Sequence, residues 1–294
     1  MATQTVGEVP AREATGALLP PFPAREFIVP GAVLAAITIA EIVTAAFDAR
    51  TGLTMHVTLL AVLVVMGART RDAARRELLW TLGLAPVIRV GSLCLPLGRL
   101  PLMAWYPLIG LPIFSAAFMT ARKLGYTPAQ LGLTVSLADL PRQLAMVPLG
   151  FVLGIGEYLI FRPAPLAERF TFEHIWMPAL ILLVFTGFEE ELIFRAIMQR
   201  AALRSLGRWG LIYVNAVFAV LHIGYLSVLD VVFVFLVGLL FSLFAMRTRS
   251  IFGVTIAHGA VNISLFLLLP FLAPVVLGTG YGDLLPLPIP GITP

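Results

Sequence analysis

Three adjacent carboxylates, Glu189, Glu190 and Glu191, stand with Arg195 at the end of an apolar run that begins at Ile175. An ionisable group at membrane depth costs on the order of 2.5 to 3.5 kcal/mol on insertion scales, so such a cluster marks a functional site by default. Two further polar pairs follow in apolar surroundings, Phe218 with His222 and His258 with Asn262. Each pair has i,i+4 spacing, which places its members on one face of a helix. The same spacing lets Glu191 pair with Arg195, acid before base, while Glu190 points about 100° away round the helix. A supporting ion pair is thereby separated from a free carboxylate. A carboxylate and an imidazole at one depth can activate water as general base, and a second imidazole with an amide can donate hydrogen bonds to a developing oxyanion. Such a set is equipped to hydrolyse a peptide bond.

The elements that must position these groups follow from composition. With 59% hydrophobic and 12% charged residues and a mean hydropathy of +0.96, the chain lies far from the roughly 25% charge of a soluble domain. The expected fold is all-α, a polytopic transmembrane helical bundle. Apolar runs at about 28–48, 53–68, 79–97, 104–121, 144–161, 175–199, 210–227, 228–246 and 251–273 predict eight or nine spans, with 53–68 short enough to be tilted or re-entrant. Arg69, Arg71, Arg75, Arg76, Arg122, Lys123, Arg142, Arg200, Arg204, Arg208, Arg247 and Arg249 fall on one side, with Arg12 and Arg25. Only Arg50, Arg99, Arg162 and Arg169 fall on the other. The positive-inside rule then predicts a cytoplasmic N-terminus and an external C-terminus. This clustering between spans also accounts for the net charge of +4 and argues against a nucleic-acid partner. With about 1.5 Å of rise per residue, Glu190 comes out roughly 15 Å, His222 roughly 18 Å and His258 roughly 10 Å from the basic ends of their spans, so a site opening toward the cytoplasm is expected.

Residues 1–27 predict a polar cytoplasmic tail, 28–121 accessory transmembrane helices, 126–273 the core that carries the site, and 274–294 a Pro/Gly-rich tail. The tail lacks the pattern of a cleavable leader, so the first span is expected to anchor the chain. Residues 126–144 predict an interfacial elbow, and the single cysteine, Cys94, excludes an intramolecular disulfide framework. Arg89 is expected to pair with Glu41 or Glu157 across helices, and His174 and Asp230 to meet water at span ends. Glu189 is expected to face a polar cavity and Phe218 to serve packing.

The ordered set Glu190-Glu191-x-x-x-Arg195, Phe218-x-x-x-His222 and His258-x-x-x-Asn262 resembles the three motifs of the CAAX prenyl protease and bacteriocin-processing family, also called the Abi family. The resemblance is best over residues 175–270, extends to the elbow and span at 126–161, and does not cover residues 1–121. It implies an intramembrane endopeptidase in which Glu190 and His222 activate the attacking water, His258 and Asn262 stabilise the oxyanion, and Glu191 with Arg195 supports them. Two departures from the common pattern are Ala196, where a glycine often follows the arginine, and Glu189 in front of the pair. The implied substrate is a membrane-associated protein or peptide, and the arginine-rich basic set suits a prokaryotic plasma membrane. No cofactor is favoured. A zinc site built from Glu190, His222 and His258 is the alternative, although no His-Glu-x-x-His occurs. The rival functions are a non-proteolytic immunity or scaffold protein and a proton-coupled transporter; against the latter, no paired broken helices recur in two related halves.

Overall fold

A computed structural model describes residues 21–95 and 100–277. Among them there is no strand, and the chain is a polytopic bundle of α1 (Ile28–Ala46), α2 (Ala49–Arg69), α3 (Ala73–Cys94), α4 (Leu102–Lys123), α5 (Leu140–Phe161), α6 (172–206), α7 (Trp209–Tyr225), α8 (Val228–Thr248) and α9 (Phe252–Val275). All but α6 and α7 are long and apolar enough to cross a membrane. The run expected to be short, 53–68, is a full span. Asp48 accepts hydrogen bonds from the Thr51 amide and hydroxyl at 2.7 and 2.6 Å, and this cap draws the polar Arg50 and Thr51 into α2. Residues 1–20 of the first expected tail, 278–294 of the second, and Arg99 lie outside the described residues.

The described end of the N-terminal tail packs rather than projecting. Phe22 meets Trp209 edge-on at 5.1 Å, and the Tyr213 hydroxyl donates to the Pro30 carbonyl at 2.9 Å, which joins α1 to α7. The elbow between α4 and α5 is a series of turns in which the Gly132 carbonyl accepts from Ile251 N at 3.0 Å, holding the start of α9.

Two close approaches set the interior. A Cβ on Gly150 of α5 would lie 2.3 Å from the Ala257 carbonyl oxygen, and one on Gly187 of α6 would lie 2.9 Å from Gly259 N. Only glycine allows these contacts, and small residues of this kind let membrane helices pack backbone to backbone. α9 is thus held between α5 and α6, with His258 beside the carboxylates of α6. Beneath this layer Asn215 donates to Ser242 Oγ at 2.9 Å and Gln199 to the Ser242 carbonyl at 3.1 Å, satisfying buried polar groups between α6, α7 and α8.

Candidate active site

α6 is not a regular helix where its chemistry lies. Wide π turns run over Leu183–Phe188 and Leu192–Met198 and bracket the α-helical Glu189–Glu191; a third, Ser264–Leu268, follows Asn262 in α9. Such turns are rare and occur often at functional sites. The expected pair survives them: Arg195 Nη1 lies 3.1 Å from Glu191 Oε1, and both side chains are fully buried. The Arg195 guanidinium also sits 4.3 Å from the centre of the Phe218 ring, which gives Phe218 an electrostatic role beside its packing.

Glu191 has a second partner that helical spacing alone does not reveal, His258 Nδ1 at 2.8 Å from the same Oε1. A carboxylate paired with arginine has no proton to give, so Nδ1 carries the hydrogen and Nε2 points away from the pair. His258 Nε2 lies 3.8 Å from Glu190 Oε2, too far for a direct hydrogen bond.

His222 is oriented by the end of its own helix. The last turn of α7 tightens, with His222 N donating to the Ala219 carbonyl at 3.0 Å, and this releases the Phe218 carbonyl. His222 Nδ1 donates to that carbonyl at 3.0 Å, which leaves Nε2 without a proton in the neutral ring. The Phe-x-x-x-His spacing is therefore a ring-to-carbonyl bond as well as a shared face. Asn262 Nδ2 donates to Thr186 Oγ1 at 2.8 Å, and Thr186 in turn donates to the Leu182 carbonyl.

Glu190, His222, His258 and Asn262 all line one cavity of about 190 Å³, with Arg195 and Phe218 in its wall. A larger cavity of about 510 Å³ adjoins it and shares Glu190, His222, Tyr106, Thr186 and Tyr225, but not His258 or Asn262. Glu190 and His222 therefore stand where the two spaces meet. Thr186, Tyr106 and Tyr225 are wall residues that the sequence analysis did not single out; Thr186 lies one turn before Glu190 and Tyr225 three residues after His222. Glu189 is buried, lines the larger cavity and has Oε1 without a partner.

Two expectations are corrected, where the site opens and the setting of Asp230. The loop residues that line these cavities, Ala164, Pro165, Leu166 and Gly224, belong to the span ends opposite the basic loops, and no residue of 69–76, 122–142, 200–208 or 247–249 contributes. The mouth is on the side opposite the basic clusters. The depth count failed because α6 runs on to Leu206 and the regular part of α7 ends at Leu221, short of the apolar run 210–227. Arg89 pairs with Glu41, one of the two partners expected for it, at 2.6 Å from Oε2, while Glu157 lines the smaller cavity. Asp230 is buried with no partner for either carboxylate oxygen, not bathed by water. Among the described residues no group of three or more His, Cys, Asp or Glu side chains is arranged to hold a metal ion, Glu190, His222 and His258 included.

Neither a curated protein nor a solved structure matches the chain. Residues 171–264, about a third of the chain, match a family model described as type II CAAX prenyl endopeptidase, Rce1-like. The matched segment takes in all three motifs, from Glu190 to Asn262, and is consistent with the CAAX protease and bacteriocin-processing family.

Proposed function

We propose that this protein is an intramembrane endopeptidase that hydrolyses a peptide bond in a membrane-associated protein or peptide. The observation that carries the reading is the convergence of Glu190, His222, His258 and Asn262 on one cavity, with Glu191 and Arg195 behind His258. Water at the meeting of the two cavities gives a proton to Glu190, with the free Nε2 of His222 as its companion acceptor, and its oxygen bonds to the scissile carbonyl carbon. The carbonyl π pair moves onto oxygen, and the oxyanion accepts hydrogen bonds from Asn262 Nδ2 and from a doubly protonated His258 at Nε2, whose positive charge Glu191 balances. On collapse the C–N bond breaks and the proton held by Glu190 goes to the leaving amine. No step is routed through a metal.

The test is cleavage of membrane-anchored peptides by purified protein in proteoliposomes. Glu190→Gln removes the acceptor at nearly constant volume and is expected to lower kcat by about 10²- to 10⁴-fold, with an unchanged melting temperature. Full turnover by folded Glu190→Gln would sink the assignment. In the same assay, activity lost to a strong chelator and restored by stoichiometric zinc would replace this mechanism with a metal-centred one.

We further propose that the chain lies in a prokaryotic plasma membrane with its N-terminus cytoplasmic, as the basic loops favour. The mouth then faces the external side, and the substrate segment enters from the outer leaflet. In a Cys94→Ala background, Ala164→Cys is expected to react with a membrane-impermeant thiol reagent added to intact cells, and Ser205→Cys to be protected. The opposite labelling would invert the orientation.

A further inference from the structure

The proteolytic reading draws on α6 to α9 and leaves α1 to α3 without a task. Yet these helices bury a second charged cluster against the site. Arg89 donates from Nε to Glu41 Oε1 at 2.8 Å and brings Nη2 to 2.6 Å from Glu41 Oε2. His56 Nε2 lies 3.3 Å from Glu41 Oε1, and neither Glu41 nor His56 meets solvent. The same Arg89 Nη2 donates to the carbonyl of Leu221 at 2.5 Å.

Leu221 caps the regular part of α7, and His222 follows it with φ −92° and ψ 0°. A helix end leaves its last carbonyls without helical donors, and a cation there also meets the negative end of the helix dipole. The Phe218 carbonyl fixes the tautomer of His222, but the direction of the ring depends on the peptide plane between Leu221 and His222. That plane is held by a guanidinium anchored on α1. Arg89 borders the larger cavity, next to His222.

We infer that Arg89, held by Glu41 with His56 behind it, is a positioning residue that fixes the unwound end of α7 and through it the direction of His222 Nε2. This rests on the proteolytic reading of His222 and gives the accessory helices a part in it: they supply the cap that the site's own helices lack.

Removing Arg89 alone strands Glu41 as a buried charge and endangers the fold. The informative variant is Glu41→Leu with Arg89→Met, which replaces the pair by apolar side chains of similar size and deletes the tie to Leu221. It is expected to melt within a few degrees of the parent and to lose at least about 10-fold in kcat, with KM within about 2-fold. Amide hydrogen exchange over residues 219–227 should rise while exchange elsewhere in α6 to α9 stays as it was. Arg89→Lys keeps a cation but not the fork that reaches both Glu41 and Leu221, and should fall between the two. Parent-level kcat and exchange in the folded double variant would overturn the inference; if that variant does not fold, parent-level values in Arg89→Lys would do so. An inactive parent would instead sink the proteolytic reading, and exchange at 219–227 would still report on Arg89.

Discussion

The bundle contains two buried clusters built from the same three residue types. In one, Glu191 lies between Arg195 at 3.1 Å and His258 at 2.8 Å; in the other, Glu41 lies between Arg89 at 2.6 Å and His56 at 3.3 Å. Residue type therefore does not separate a reactive site from a brace. What separates them is the space beside them and the group that faces it. Next to the first cluster stands Glu190, its side chain 29% exposed to a cavity, and His258 keeps one ring nitrogen toward it. In the second cluster Glu41 and His56 are closed off, and the arginine, at the edge of the larger cavity, is committed to a backbone carbonyl. A buried ion pair is weak evidence for stability, because desolvation opposes its Coulomb gain; its value here is geometric, in aiming one histidine in each case.

The sharpest way to break this comparison is to unpair the site's own cluster. Arg195→Ala leaves Glu191 as an uncompensated charge at depth and releases His258, so a loss of about 3 to 5 kcal/mol in stability is expected together with loss of hydrolysis. Thermal unfolding in detergent measures it, and a parent-like melting curve would show that the pair does not hold this region. Gly187→Ala tests the backbone contact instead of the charges. The new methyl pushes α6 from Gly259, at a cost of about 1 to 3 kcal/mol, and shifts His258 relative to Glu190. Activity that tracks the wild type here would detach the site from the helix packing. Arg142→Ala sets the baseline. Its partner Asp139 lies 3.4 Å away, with both side chains exposed, and the loss is expected to stay below about 1 kcal/mol; a larger drop would mean that surface and buried pairs do not differ as argued.

Local spacing made much of the site readable in advance. The i,i+4 pairs Glu191 with Arg195 and Phe218 with His222 are contacts within one helix, so the chain order contains them. The link from Glu191 to His258 depends on how closely α9 approaches α6, which Gly187 and Gly259 decide jointly, and no single segment carries that information. The π turns of α6 and α9 have no local propensity signal. The mouth was misplaced because counting depth from the basic ends treats every run as a straight span, whereas α7 ends short and α6 overshoots. Arg89 and Glu41 were recognisable as charges needing partners; that Arg89 also caps a distant helix was not, since a backbone carbonyl leaves no mark in composition.

The overshoot of α6 acts as a depth gauge. Thirty-five residues at about 1.5 Å each make a rod of roughly 50 Å, against a hydrocarbon layer of about 30 Å. Over its last turns Arg204 grips Glu77 of α3 at 2.6 Å and Arg200 lies over the Tyr126 ring, whose hydroxyl donates to the same Glu77. Burial, and then the neighbouring Glu77, push the Tyr126 phenol above its ordinary value, so it keeps its proton and goes on donating. A slip of α6 along its axis would have to break these contacts before it moved Glu190. The height of Glu190 in the bundle is thus registered at the far end of the rod, by groups that never approach the cavity.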